Sequence, residues 1–560
     1  AGLRVAKALY VGWRSNTSTL QYTVEAERDV TLELRPRIVM RDFHLHLADL
    51  DTSRFSARQS GGGVHVEAAG YAVRLTCDGG TYIESEDVTA PVDYAVSRAR
   101  EDVAKYGEPL WSPGLFRCPC KVGSAVHTLA FALAPEEPDF QLPQSRARAE
   151  HMKAVLAGAA KAIGSELAAQ RLGPLIAAAD DFLVTRRVAG HDLMTVIAGY
   201  PWFADWGRDT MISLPGLMLT TGRFSDARSC LETYARFVSE GMVPNCFDDN
   251  NESLAHYNTV DASLWFLHAV GAYAQASGNA LASDSLLLQA AKQIVAGYER
   301  GTRFGIGVDP EDGLVCAGSA TTQLTWMDAL REGVAFTPRY GKCVEINALW
   351  YNGLLATAGV VERDEPELAG ELRTKAERVA RSFRGAFVRP DGEGLYDCLR
   401  PDSAGGWAPV GEVRPNQLFA VSLPASPLDA EQARAVVDVC RRHLLTPAGL
   451  RTLSPEAAGY RGRFKGDMMK RDGAYHNGTV WPWLFGPYCE ALLRAGDFAT
   501  AAKEEAREAI APLLGHLGSG CLGQLAEVYD GDAPRDQEGC VAQAWSVAEV
   551  LRIAAMLVAD

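Results

Sequence analysis

Residues 1–145 alternate apolar and polar side chains in short runs. Val30-Thr-Leu-Glu-Leu-Arg-Pro-Arg-Ile-Val-Met40, Gly63-Val-His-Val-Glu-Ala68, Ala72-Val-Arg-Leu-Thr76 and His127-Thr-Leu-Ala-Phe-Ala-Leu133 all show it. A period of two sends successive side chains to opposite faces of a strand, and breaks containing Gly, Asp and Ser separate the runs. The pattern predicts an N-terminal antiparallel β-sandwich over 1–145, closed by the acidic, Pro-punctuated linker Ala134-Pro-Glu-Glu-Pro-Asp139. From about 146 apolar residues return at three- and four-residue steps. Helices are predicted over 149–171, 174–187, 210–221, 225–240, 259–276, 282–299, 344–360, 365–388, 428–443, 477–494, 498–514 and 541–558. Roughly a dozen helices with long Trp- and Gly-rich connections suggest helical hairpins closed into an (α/α)6 barrel over 146–560. The expected fold is thus multidomain.

Long connections in a compact domain tend to carry function, so their contents matter most. The first, Pro201-Trp-Phe-Ala-Asp-Trp-Gly-Arg-Asp-Thr210, sets Trp202, Phe203 and Trp206 beside Asp205, Arg208 and Asp209. Aromatic faces cover the C–H faces of a sugar, and fork-like Arg and carboxylate groups grip its hydroxyls. A structural role competes with this, since Asp209 also suits a helix cap. The second connection, 243–261, leads through His256, Tyr257 and Asn258 to Asp261 at a helix start, where a cap and a ligand contact are both open. Further on come Thr325-Trp326-Met327-Asp328-Ala329, Glu345 with Asn347, Asn416-Gln417, Tyr475-His476-Asn477-Gly478-Thr-Val-Trp481, Leu525-Ala-Glu527-Val-Tyr-Asp530 and Gln543-Ala-Trp545-Ser546.

Composition narrows the partners. The 560 residues carry 55 Lys and Arg against 70 Asp and Glu, a net charge of −15, which argues against nucleic acid or an anionic membrane. No run of eighteen apolar residues and no signal peptide is present, and the twelve cysteines are scattered, so a cytoplasmic protein with reduced thiols is expected. Cys118 and Cys120 read as buried strand residues. Clustered Cys/His spacings, phosphate loops and nucleophile elbows are absent from the sequence, so no metal and no cofactor is expected; Gly305-Ile-Gly307 lacks the third glycine of a dinucleotide fingerprint. Trp-lined connections with several acids point instead to glycoside chemistry, which needs two carboxyl groups. Most of the 70 acids must be surface charges or caps. Asp328, beside Trp326 and Met327, offers the apolar setting that suits a general acid, with a helix N-cap as the structural alternative. Glu527 is indistinct on its own.

Taken together, Trp206-Gly-Arg-Asp-Thr210, Thr325-Trp-Met-Asp328, Glu345, His476-Asn-Gly-Thr-Val-Trp-Pro482 and Gln543-Ala-Trp-Ser546 resemble the bacterial and archaeal glycogen-debranching enzymes of the amylo-α-1,6-glucosidase type. The resemblance covers the helical part and more loosely the first part, through Leu110-Trp-Ser-Pro-Gly-Leu-Phe116. It implies an (α/α)6 catalytic barrel, distantly similar to fungal glucoamylases, and an inverting, exo-acting removal of glucose from α-1,6-linked stubs. The substrate is then an α-glucan or an α-1,6-linked oligosaccharide. By this likeness Asp328 is the general acid and Glu527 the general base, with carboxyls roughly 6.5–9.5 Å apart. Arg208 and Asp209 hold the terminal glucose, and Trp206, Asp205, His256, Asp261, Trp326, Glu345, His476 and Trp481 complete the expected substrate contacts. The base motif departs from glucoamylase in reading Ala526-Glu527 for Ser-Glu, and the chain has no room for the glucanotransferase barrel of the large eukaryotic enzymes. Two alternatives stay open: an inverting phosphorylase on the same barrel, and a non-catalytic α-glucan-binding protein. The first domain is read as a packing partner, a cleft wall, a selector of long chains or a dimerisation element, so a homodimer is one open oligomeric state.

Overall fold

The computed structural model describes residues 2–41, 51–99, 107–138, 140, 144–188, 190–247, 255–278, 281 and 285–558. Its chain divides into two compact units, Ala1–Lys153 and Ala154–Asp560.

The first unit is built of antiparallel strands. They are β1 (Leu3–Val11), β2 (Thr17–Ala26), β3 (Val30–Leu34), β4 (Ser56–Ser60), β5 (Gly63–Ala68), β6 (Tyr71–Asp78), β7 (Thr81–Val88), β8 (Val92–Asp93), β9 (Gly107–Glu108), β10 (Trp111–Cys120) and β11 (Gly123–Leu133). A six-stranded sheet has the order β1-β2-β11-β6-β5-β4, and a three-stranded sheet the order β3-β10-β7. Their alternating inward residues meet in one core that takes Val64, Val66, Leu75 and Leu129 from the larger sheet and Leu34, Tyr82, Trp111 and Phe116 from the smaller. Phe116, wholly buried, contributes about 1.5–3 kcal/mol by leaving water. Cys118 and Cys120 are buried in β10, as read. The run predicted to Met40 stops pairing at Leu34, because Pro36 has no N–H for a ladder; Ile38 adds only an isolated bridge to Trp111.

The second unit is mainly helical. After α1 (Ala95–Ala99) in the first unit, and α2 (Gln144–Ile163) that runs through the division, come α3 (Glu166–Arg171), α4 (Gly173–Asp180), α5 (Gly207–Leu214), α6 (Phe224–Ala235), α7 (Ala262–Ser277) and α8 (Leu286–Arg300). They are followed by α9 (Val344–Val361), α10 (Pro366–Phe387), α11 (Phe419–Ser422), α12 (Ala430–His443), α13 (Met468–Tyr475), α14 (Phe485–Ala495), α15 (Thr500–Leu514) and α16 (Ala544–Val558). Helices α5, α7, α9, α11, α14 and α16 pack each against the next, and α16 returns to α5. All eight residues of α5 are buried, and α9 and α16 are apolar nearly all round, as befits helices enclosed on every side. By contrast α10 and α12 bury one stripe and turn charges outward. Gly216 lets α16 approach: a Cβ there would lie 2.0 Å from the Ala548 carbonyl oxygen. No described helix is long and apolar enough to cross a membrane.

Several predicted helices differ from the structure: 149–171 is broken at Gly164-Ser165 into two helices, and 225–240 ends at Ala235. The span 174–187 is helical only to Asp180, and Leu183–Val188 pairs with His191–Val196 in a hairpin turned at Gly190. The span 477–494 is helical only from Phe485, since Gly478 (φ 148°) and Pro482 break it and Val480–Trp481 joins a five-stranded sheet. The start predicted at 282 lies outside the described residues, and α8 is capped by Ser285, whose hydroxyl accepts from Leu288 N. Helix α13 has no apolar period that would betray it; Asp467 caps it, accepting from Lys470 N at 2.9 Å.

Candidate active site

Long connections at one end of the helical unit enclose a cavity of about 300 Å³. The Trp206-Gly-Arg-Asp motif enters it at the start of α5. Trp206 is the extended N-cap residue, and Gly207 N donates to the Asn245 carbonyl at 2.7 Å. A side chain at 207 is excluded, because its Cβ would lie 2.0 Å from the Pro244 carbonyl oxygen. The helix thereby begins against the segment Pro244–Asn245, and Arg208 and Asp209 line the cavity. Asp209 is not the cap but a first-turn residue, 8% exposed. Burial first, and then Asp328 and Glu527, push its carboxyl up to about 7 against the pull of Arg208.

Arg208 is the electrostatic hub. Its Nε lies 2.8 Å from both carboxylate oxygens of Asp261, and its Nη1 donates to Asp328 at 2.8 Å. Asp261 is the N-cap residue of α7, yet its side chain makes no cap bond; the carboxylate is spent on Arg208. Burial raises the Asp261 carboxyl to about 6 in spite of that pairing. Asp328 is not a helix cap either, since Leu330–Arg331 continues as a strand, and it is not in purely apolar surroundings: its side chain is 31% exposed and ion-paired to Arg208. The Nη2 of Arg208 is buried without a partner among the described residues.

Across the cavity Glu527 is 2% exposed. Its Oε2 accepts from the Cys540 amide at 2.7 Å, and its Oε1 accepts from the Tyr475 hydroxyl. These two donors hold the carboxylate in one orientation. Tyr475 ends α13, His476 is its C-cap residue, and Trp481 follows in the strand Val480–Trp481. The His476 ring stacks on Trp481 with centroids 5.4 Å apart, and burial holds the imidazole well below its usual range, so it is neutral. Trp326 stands edge-on to His476, Trp481 and Trp483, and its indole N–H donates to Asn416 at 2.7 Å. The result is a rigid aromatic floor beneath polar groups.

Of the residues singled out in the sequence, Trp206, Arg208, Asp209, Trp326, Asp328, His476, Trp481 and Glu527 line this cavity. Asp261 stands behind Arg208. Three do not take part. Asp205 is fully buried under Arg186, which donates at 2.7 and 2.6 Å, and under Thr195. Glu345 is buried against Arg339, which also pairs with Asp397. His256 is exposed on a short strand and is no part of the lining; its carbonyl accepts from Asn245 N. Phe203, Asn258, Tyr475, Gln543 and Trp545, all named in the sequence stretches, line the cavity as well, and Asn245 and Gln323 join them without having been singled out. Amides in polar loops carry no signal that separates a ligand contact from a turn.

An aromatic-floored cavity with three carboxylates, a committed guanidinium and a neutral imidazole is the kind of setting that glycoside chemistry uses. The relatives agree. Residues 177–552 match the Amylo-alpha-1,6-glucosidase family and residues 1–127 match Glycogen debranching enzyme N terminal, and the chain belongs to the amylo-alpha-1,6-glucosidase family. It is 25% identical over 396 residues to the glycogen debranching enzyme of Saccharomyces cerevisiae, a match covering 55% of this chain and 26% of the yeast enzyme. The chain thus spans about a quarter of that relative. Among solved structures, a bacterial glucoamylase in complex with acarbose superposes with a TM-score of 0.60 at 12% identity, covering 100% of this chain and 82% of the other. That likeness is one of fold.

Proposed function

We propose that this chain is an inverting, exo-acting glycoside hydrolase that releases glucose from α-1,6-linked branch stubs of glycogen or related α-glucans. On this reading the architecture is a β-sandwich (1–145) followed by an (α/α)6 barrel (146–560), a reading supported by the closed succession of α5, α7, α9, α11, α14 and α16. The observation that carries the function is the entry of Asp328 and Glu527 into one cavity from separate connections, with Arg208 and Asp209 between the aromatic walls. Asp328, partly open to solvent, protonates the glycosidic oxygen. Glu527, oriented by Tyr475 and the Cys540 amide, takes a proton from the water that attacks the anomeric carbon on the opposite face. Asp209 accepts from sugar hydroxyls, and the unpartnered Nη2 of Arg208 donates to one. The neutral His476 adds a polar contact without adding charge.

Hydrolysis is favoured over phosphorolysis by the charges. Among the described lining residues Arg208 is the one cation, and it is already paired with Asp261 and Asp328, while Asp209, Asp328 and Glu527 would repel a phosphate dianion. The test is glucose release from isomaltose, panose and glycogen limit dextrin, with the anomer followed by proton NMR. β-Glucose is expected, with kcat reduced about 10²–10⁴-fold in Asp328→Asn and in Glu527→Gln. Release of α-glucose refutes inversion. Turnover that requires phosphate establishes the phosphorylase, and binding of limit dextrin without any release establishes the glucan-binding protein.

A further inference from the structure

The turn that carries Tyr475 and His476 has a second side. Gly473 and Asn477, from the same stretch, line a separate cavity of about 270 Å³ together with Arg339, Arg400, Arg414 and Arg461. Two of these arginines are fully engaged. Arg339 is spent on Glu345 and Asp397. Arg414 donates to Glu412 at 2.8 Å, to the His476 carbonyl at 2.7 Å and to Asn477 Oδ1 at 3.0 Å. The carboxylates that face the cavity, Asp397 and Glu412, are thereby each paired with an arginine.

The other two arginines have capacity left. Arg400 gives one Nη to the Pro338 carbonyl at 2.8 Å and lies over the Tyr340 ring, but its Nε is buried with no partner among the described residues. Arg461 is exposed and lines the same cavity, and among the described residues no carboxylate pairs with its guanidinium. Thr337 is 3% exposed, lines the same cavity, and its hydroxyl also has no partner among the described residues. A buried donor left unmade is unfavourable, and native structures rarely tolerate several in one place without something to accept from them. The unspent N–H groups of Arg400 and Arg461 and the Thr337 hydroxyl, all on residues that line one cavity, match the acceptor oxygens of a phosphate group, for which the arginine fork is suited.

We propose that this cavity binds a phosphomonoester dianion, either free phosphate or the phosphate of a small sugar phosphate, at a site separate from the glucoside cavity. The inference stands on its own geometry and does not depend on the proposed hydrolysis. The lining of this cavity shares no residue with that of the glucoside cavity, so it is not read as a co-substrate position.

Isothermal titration of the full chain with inorganic phosphate and with glucose 6-phosphate, against sodium chloride of equal ionic strength, tests this. Saturable binding of one ligand per chain is expected. Arg400→Gln and Arg461→Gln are each expected to weaken it about tenfold or more, and Thr337→Val less, while Glu527→Gln leaves it intact. Arg461 is exposed, so Arg461→Gln keeps the fold, verified by an unchanged melting curve. Equal affinity for the two probes supports the site with free phosphate as its source; tighter binding of glucose 6-phosphate supports it with a sugar phosphate. Absence of saturable binding up to about 10 mM overturns the proposal. Undiminished binding in the Arg400→Gln/Arg461→Gln double variant, or loss of binding in Glu527→Gln, also overturns it.

Discussion

Replacing Asp209 by asparagine is expected to flatten the dependence of stability on pH. Asp209 sits in the first turn of α5, 8% exposed, and among the described residues no side-chain donor is aimed at its carboxylate. Burial, with Asp328 and Glu527 close by, raises its carboxyl from 3.8 to about 7 although Arg208 opposes the shift. A carboxyl raised by folding binds more protons in the native than in the unfolded chain between those two values. Its contribution is therefore fully present below about pH 4 and is lost as pH rises through about 7. Over about three pH units, at about 1.4 kcal/mol each, the loss is on the order of 4 kcal/mol. Asp261, raised to about 6, steepens the fall between about pH 4 and pH 6. Asparagine keeps the shape and cannot ionise, so Asp209→Asn removes the larger part and becomes more stable than the wild type at pH 8. Urea unfolding at pH 5, 6, 7 and 8, followed by tryptophan fluorescence, reads the helical unit, which holds nine of the eleven tryptophans. Parallel stability curves for the two proteins from pH 5 to 8 would refute the reasoning. The physical point is that a carboxylate kept bare for sugar hydroxyls is held at the expense of the fold.

The residues that lie outside the cavity lining make contrasting predictions. Arg339→Met leaves Glu345 and Asp397, each 2% exposed, without their shared cation and is expected to lower stability by about 3–5 kcal/mol, seen as a lower urea midpoint. Glu345→Gln, for the same reason, is expected to lower the midpoint while leaving KM for isomaltose unchanged; a raised KM with an unchanged midpoint would restore Glu345 as a sugar contact. His256→Ala touches an exposed side chain outside the cavity and is expected to leave kcat/KM within about twofold, since surface substitutions shift free energies by about 0.5 kcal/mol or less.

Much of this protein is legible in the sequence because the signals are local. Alternation within 1–145 follows from strands with one face in a core, and Gly63–Ala68 falls as read. The three- and four-residue period located α9 and α10 to within about two residues, because each must bury a stripe or a whole surface. The motif Trp206-Gly-Arg-Asp was recognisable because bulky aromatics next to a fork-like cation are seldom placed together for packing alone. Where local pattern misled, a long-range partner decided. Residues 183–188 became a strand because 191–196 was there to pair with them, and 480–481 because Arg451 and Leu450 were. Spacing does not say which acid meets which cation. Asp205 and Asp209 are four residues apart, yet one is locked under Arg186 and the other opens on the cavity. Glu345 and Asp261 both lie at helix starts, and only Asp261 reaches Arg208.

The sequence by itself determined the classes of segment, the stretches rich in aromatic and acidic groups, and the family, since periodicity and short motifs are properties of neighbours along the chain. Only the tertiary structure decided which carboxylates are bare, which are neutralised, and which pair of amide and hydroxyl donors holds Glu527. Charge pairing in a low-dielectric interior depends on distances of about 3 Å between groups that can lie far apart in the chain, as Arg208 and Asp261 do, and no local pattern encodes them.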